Sequence, residues 1–206
     1  MKYAKYALFA GALLLSGVSK AENVNFYNYS CGVSYQALSV NDINQGTELD
    51  MQVDDLAHAI GIHYKGEPRS FYQFAIGIDY VYIKDDNPFT EEVKNSVTGN
   101  KLSRESDVTG TAIYGELGLI LKDHLVENLT IGVLGGYRYN NISRSIFRCS
   151  SCEEQELDNF KSSSYIKPFI EYQITKRIHE QLGYSHYLND EGFDSSIGLH
   201  ISFMSL

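Results

Sequence analysis

The chain has 206 residues, 43% of them hydrophobic and 21% charged, with a mean hydropathy of −0.24 and a formal net charge of −9. It is too polar for a bundle of membrane-spanning helices and, with 16 Tyr and 10 Phe, too aromatic for a disordered chain; its length suits about one domain. The acidic balance makes nucleic acid an unfavourable partner.

Residues 1–21 read as a secretory signal. Lys2 and Lys5 give the positive start, Ala7 to Val18 the apolar run, and Ser19-Lys20-Ala21 a small-x-small cleavage site. The run falls short of the roughly 20 residues that cross a bilayer, so a leader removed after Ala21 is expected, leaving 22–206 as the mature domain. Lys2, Lys5 and Lys20 leave with it, which takes the net charge from −9 to −12. No Cys stands at the cleavage site to suggest a lipoprotein.

From there the chain alternates with a period of two, the spacing that puts every second side chain on one face of a sheet. Tyr27, Tyr29, Cys31, Val33, Tyr35 and Ala37 share a face, with Asn28, Ser30, Gly32, Ser34 and Gln36 opposite. Leu56, His58, Ile60, Ile62 and Tyr64 form the second apolar face, and Tyr72 to Tyr82, read at every other residue, the third. Next come Ile113 to Leu121 and Leu129 to Tyr139, read the same way. A sixth segment carries Ile166, Pro168, Ile170, Tyr172 and Ile174; Pro168 marks an edge, a bulge or a strand end, because proline lacks a ladder donor. Leu182 and Tyr184 belong to a seventh segment over 178–187, and Ile197, Leu199, Ile201 and Phe203 to an eighth.

Long and short connections alternate between these eight segments. About 15 residues join the first two, and a turn at Lys65-Gly66-Glu67-Pro68-Arg69 the next two; 85–107 is long, 123–128 shorter, 141–163 long, 175–177 tight and 189–194 of medium length. An antiparallel up-and-down meander then gathers the long loops at one end and the short turns at the other. Cys149 and Cys152 lie in the third long segment, in a polar stretch, and export to an oxidising compartment favours a local disulfide between them. A thioredoxin-like motif or half a zinc site are rival readings, but helix context and a second ligand pair are both missing. Cys31 is left as a small apolar residue on a strand face.

Alternation does not say which face looks inward. Asp79, Glu116, Arg138, Lys167 and Glu171 stand in mid-strand on the polar face. In a soluble, lipocalin-like barrel they would meet bulk water; in a membrane barrel they would converge in the lumen, where opposite charges form a network. The even number and the length of the strands, the segregated loops and the Tyr and Phe near strand ends favour an all-β, eight-stranded transmembrane barrel.

Ser196, Gly198, Ile201 and Phe203 in the last strand match a polar-x-Gly-x-x-hydrophobic-x-aromatic insertion signal. On these features the sequence resembles the small eight-stranded outer-membrane barrels of Gram-negative bacteria: the transmembrane domain of outer membrane protein A and the X-type and opacity-type proteins. The likeness spans 22–206, with one departure, since Met204-Ser205-Leu206 follow the aromatic residue on which the class usually ends. It implies a monomer in the outer membrane, in contact with lipid and lipopolysaccharide and recognised by the barrel-assembly machinery during biogenesis.

Three functions compete. Lipid A deacylases among such barrels resemble a His-x-Ser-Asn stretch, and here His186-Tyr187-Leu188-Asn189 puts leucine where the nucleophile should be. His58, His63 and His200 show no ligand spacing, so catalytic, cofactor and metal residues are all expected to be none. A narrow pore is disfavoured because side chains largely fill eight strands. The preferred expectation is a structural or adhesin-like protein whose loops meet a partner outside the cell. Those loops are acidic, with Asp42, Glu48 and Asp50 in the first, Asp85, Asp86, Glu91, Glu92, Glu105 and Asp107 in the second and Glu153, Glu154, Glu156 and Asp158 in the third.

Overall fold

The structure, a computed structural model, describes residues 28–40, 55–69, 71–83, 105–122, 126–147, 154–156, 160, 162–188 and 192–204. The signal segment 1–21 and the pair Cys149 and Cys152 lie outside them. Among the described residues the strands are β1 (Asn28–Val40), β2 (Leu56–Arg69), β3 (Tyr72–Ile83), β4 (Glu105–Lys122), β5 (Leu129–Phe147), β6 (Glu154–Glu156), β7 (Ser162–Thr175), β8 (Ile178–Tyr187) and β9 (Phe193–Met204). All pairings are antiparallel; β4 joins β3 to β5, β5 pairs with β7, and β9 returns to β1, so eight strands close a barrel while the short β6 lies beside β5.

The register fixes the barrel's shape. Followed strand by strand from Tyr29 through Gly66, Phe74, Leu117, Gly135, Ile166, His186 and Ser195, the pairing returns to β1 at Ser39, ten residues beyond its start. With about 3.3 Å per residue and about 4.8 Å between strands, this stagger tilts the strands by roughly 40°.

The sequence period sets the two faces. Ile60, Ile62 and Ile113 are 65%, 62% and 59% exposed on the outside, whereas Gln73, Asp79 and Arg138 are buried inside. Tyr29, Tyr64 and Phe74 pack together outside near the short-turn end, and Tyr80, Tyr82, Tyr137 and Tyr139 stand outside nearer the long-loop end. An apolar outer wall around a polar inside is the arrangement a bilayer solvates, and closure leaves the barrel no unpaired edge there.

Three local expectations change. The turn expected at Lys65 to Arg69 is strand: β2 runs through Arg69, because Lys65 and Glu67 continue the inward row of His63 and find charged partners inside. Its register shifts between Gly66 and Arg69, an irregularity that accommodates Pro68. β4 and β5 reach well past the segments read from periodicity, to Glu105 and Phe147, and pair with each other beyond the ends of β3 and β7. Pro168 sits in mid-strand; its ladder with β8 skips Lys167 and Pro168 and resumes at Phe169↔Gly183 in unchanged register. In the β4 to β5 turn Asn128 adopts φ 67°, a left-handed conformation that asparagine tolerates.

Inside, aromatic rings lie on glycines of the neighbouring strand. Tyr114 faces Gly77 and Tyr165 faces Gly136, and a Cβ on either glycine would come within 2.3 Å of the ring. Gly77→Ala is therefore expected to destabilise the barrel by about 1 to 3 kcal/mol through overpacking. Gly135→Ala, where the new Cβ meets only the Leu117 carbonyl oxygen at 3.8 Å, is the neutral control in the same urea titration.

Candidate functional site: the lumen

The lumen is layered. At the long-loop end it is mainly apolar, with Leu38, Val40, Ala57, Ala59, Val81, Ile83, Val108 and Ile142 buried around the rings of Phe160 and Phe193, and Arg144 buried on the strand position opposite Val108. Beneath lies the Asp79 carboxylate, which accepts hydrogen bonds from Arg138 Nη1 at 2.6 Å, Gln36 Nε2 at 3.1 Å and Ser34 Oγ at 3.2 Å. Arg138 Nε also donates to Asn140 Oδ1 at 2.9 Å. A carboxylate so deeply buried is tolerable only with such donors, since an uncompensated charge there would be costly.

The next layer is the Glu116 carboxylate, held in a fork by Lys167 Nζ at 2.7 and 2.8 Å and by the Tyr165 hydroxyl at 2.8 Å. His63 and His200 meet edge to face with ring centroids 5.1 Å apart, and His63 Nε2 lies 2.8 Å from Ser202 Oγ. Towards the short-turn end Lys65 Nζ donates to Glu171 Oε2 at 2.6 Å and lies 3.5 Å from Glu67 Oε1. Glu67 also pairs with Lys122, and Glu171 Oε1 is 3.0 Å from His179 Nδ1.

The five charges singled out in the sequence all face the lumen, but in three groups. Asp79 pairs with Arg138 and Glu116 with Lys167; Glu171 joins neither and is held by Lys65 and His179. Sequence reasoning missed Lys65, Glu67, Lys122 and His179. Continuing the odd-numbered row beyond His63 would have found the first two. Each carboxylate in these groups has a cation: Asp79, Glu116, Glu67 and Glu171 face Arg138, Lys167, Lys122 and Lys65.

Of the other histidines, His58 is outside with Nδ1 2.8 Å from the Tyr35 hydroxyl, and His186 is exposed outside. Among the described residues no group of three or more His, Cys, Asp or Glu could hold a metal ion. Cys31 is a free, exposed thiol on the outer wall. In the terminal signal, Ser196 and Gly198 face inward while Ile201 and Phe203 face outward, so the motif presents both sides of β9.

No protein-family model and no curated protein matches the chain. Solved structures do. Ail, the attachment invasion locus protein of Yersinia pestis, in complex with the heparin analogue sucrose octasulfate, is 11% identical with a TM-score of 0.54, over 87% of this chain and 99% of that one. A second structure of Ail is 13% identical with a TM-score of 0.50, over 87% and 97%. Neisserial surface protein A is 10% identical with a TM-score of 0.48, over 86% and 97%. At these identities what is shared is the fold, and it is the fold expected from the sequence, that of the small eight-stranded outer-membrane β-barrels.

Proposed function

We propose that the protein is a non-enzymatic outer-membrane barrel that anchors long loops at the cell surface, where they meet an extracellular partner; the first loop is acidic, whereas in the second, 84–104, four acidic residues are balanced by Lys84, Lys94, Lys101 and Arg104, because Glu105 and Asp107 belong to β4. The observation that carries this reading is the filled lumen: its carboxylates are neutralised by cations of the same chain, which leaves the interior to stability and the loops to function. An interior packed by its own ion pairs offers neither the bare charge that selects ions nor an activated nucleophile.

The partner's chemistry follows from loop charge. Residues 41–54 contain Asp42, Glu48, Asp50 and Asp54 and no Lys or Arg. Where Ail has been seen with a polysulfated sugar, such a loop would repel one; a cationic protein surface, or anionic sugars bridged by divalent cations, suits it better.

Replacing 41–54 and 86–103 by tight turns tests the reading. The shortened chain is expected to fractionate with the outer membrane and keep different gel mobilities boiled and unboiled, because the strands satisfy their own backbone hydrogen bonds. Binding to host cells, matrix or neighbouring surface proteins should be lost. Altered lipid A acyl chains on expressing the intact protein would replace this function with an enzymatic one, steady single-channel conductance with a pore, and recovery in the soluble periplasm with a ligand carrier.

A further inference from the structure

The ladder between β1 and β9 closes the barrel, and no local signal sets its register. Where a short turn joins two strands, as from Thr175 to Ile178, the turn fixes how they pair; β1 and β9 are the first and last barrel strands and share no connection. Alternation forbids a slide by one residue, which would turn Ser34 and Gln36 towards lipid, but it permits a slide by two, which keeps every side chain on its own face. Such a slide would change the stagger from ten residues to eight or twelve, and eight strands do close with a stagger of eight in other barrels. The outer rows do not discriminate. Cys31, Val33 and Tyr35 stand opposite Phe203, Ile201 and Leu199, and after a slide either way they would meet apolar residues again.

The inner rows do discriminate, because each strand carries a notch. Gly32 pairs with His63 of β2 on one side and with Ser202 of β9 on the other. The His63 ring lies over this glycine, where a Cβ would come within 2.6 Å of its Cε1, and its Nε2 reaches Ser202 Oγ at 2.8 Å, so one side chain of β2 spans β1 and holds β9. On β9 the notch is Gly198, opposite Gln36; a Cβ there would lie 3.2 Å from Gln36 Cγ and 3.2 Å from His200 Nε2. His200 itself stands opposite Ser34, a small residue. Either slide brings two large side chains to one place. With Ile201 opposite Cys31, His200 would come opposite Gly32, which the His63 ring already covers; with Phe203 opposite Val33, His200 would come opposite Gln36.

We propose that His63 seated on Gly32 and bonded to Ser202, together with Gln36 on Gly198, is a register lock: it selects the one closing register among those that alternation allows, and with it the stagger and width of the barrel. Gly198 of the terminal motif thereby has a use inside the barrel, as the space that Gln36 and His200 share.

Disulfide trapping reads the register on the full chain, refolded from urea into lipid vesicles under reducing conditions and oxidised afterwards. Cys149→Ser and Cys152→Ser leave Cys31, exposed on the outer wall, as the single native thiol. In this background Phe203→Cys reports the observed register and Ile201→Cys a slide in one direction; Cys31→Ala with Val33→Cys and Phe203→Cys reports the other. The three pairs lie on the outer face at spacings of two, so each would close in the same ladder geometry. While His63 is present, efficient bridging should be confined to Cys31 with Phe203→Cys. His63→Ala should raise bridging of the slid pairs about tenfold or more, because a buried, hydrogen-bonded side chain is lost from a packed site. His63→Gln, which can still reach Ser202, should restore the observed pair. Unboiled gel mobility confirms folding; if His63→Ala gives no folded barrel, Ser202→Ala carries the same test, with slid bridging raised several-fold. Efficient bridging of a slid pair with His63 present, or equal slid bridging with and without the substitution in folded barrels, would overturn the proposal.

Discussion

Arg138→Ala is expected to lower the unfolding free energy by about 3 to 5 kcal/mol, the range for removing one partner of a buried ion pair. The loss comes mainly from what remains: Asp79, buried, would keep Ser34 and Gln36 as donors but no cation. Asp79→Asn in the same chain should recover part of the loss by removing the stranded charge, a coupling that a double-mutant cycle reads directly. Urea titration of vesicle-inserted protein, followed by tyrosine fluorescence and gel mobility, measures all four states. A change within about 0.5 kcal/mol would contradict the inward register of β5, because a surface side chain away from any such pair has effects of that size.

Ile62→Arg should cost about 2 to 4 kcal/mol, the penalty for a cation on the lipid face of a barrel near the bilayer midplane. Ile62 stands halfway along β2 between Val33 and Ile78, and its side chain is 62% exposed on the apolar outer wall. In water the same substitution would be neutral or favourable, so the experiment measures the solvent around the barrel and not only its packing. Unchanged stability in vesicles would mean that lipid does not surround this position.

How much of this was legible in the sequence depends on whether a feature is local. Parity is local: Asp79 between Ile78 and Tyr80, and Arg138 between Tyr137 and Tyr139, declare their side of the sheet without any knowledge of partners. Partnership is not. Lys65 meets Glu171 across 106 positions of sequence, and His63 meets Ser202 across 139, because the stagger of the closed barrel brings them level. Nothing near either residue announces that. Lys65 to Arg69 was misread for a related reason: Gly66 and Pro68 carry a turn's local chemistry, and inward contacts of Lys65 and Glu67 outweigh it. Phe193 was hidden by a one-residue irregularity, which inverts parity for everything beyond it. Phe160 was hidden because an isolated aromatic in a polar stretch has no periodicity to read.

The ladder between β1 and β9, which pairs Ser30 with Met204, constrains when the protein can fold as well as what it folds into. Every other barrel ladder joins neighbours in chain order among the eight barrel strands, but this one waits until β9 is available. Until then the growing sheet has two open edges and a wall of exposed Ile and Tyr, a species prone to self-association. The alternation helps: inward polar residues and glycines, such as Ser34, Asp79, Glu116, Gly136 and Lys167, interrupt the apolar rows, so no strand presents the run of about 20 apolar residues that would hold it in a bilayer as a helix. The barrel's stability thus arrives late, in the single event that joins β1 to β9.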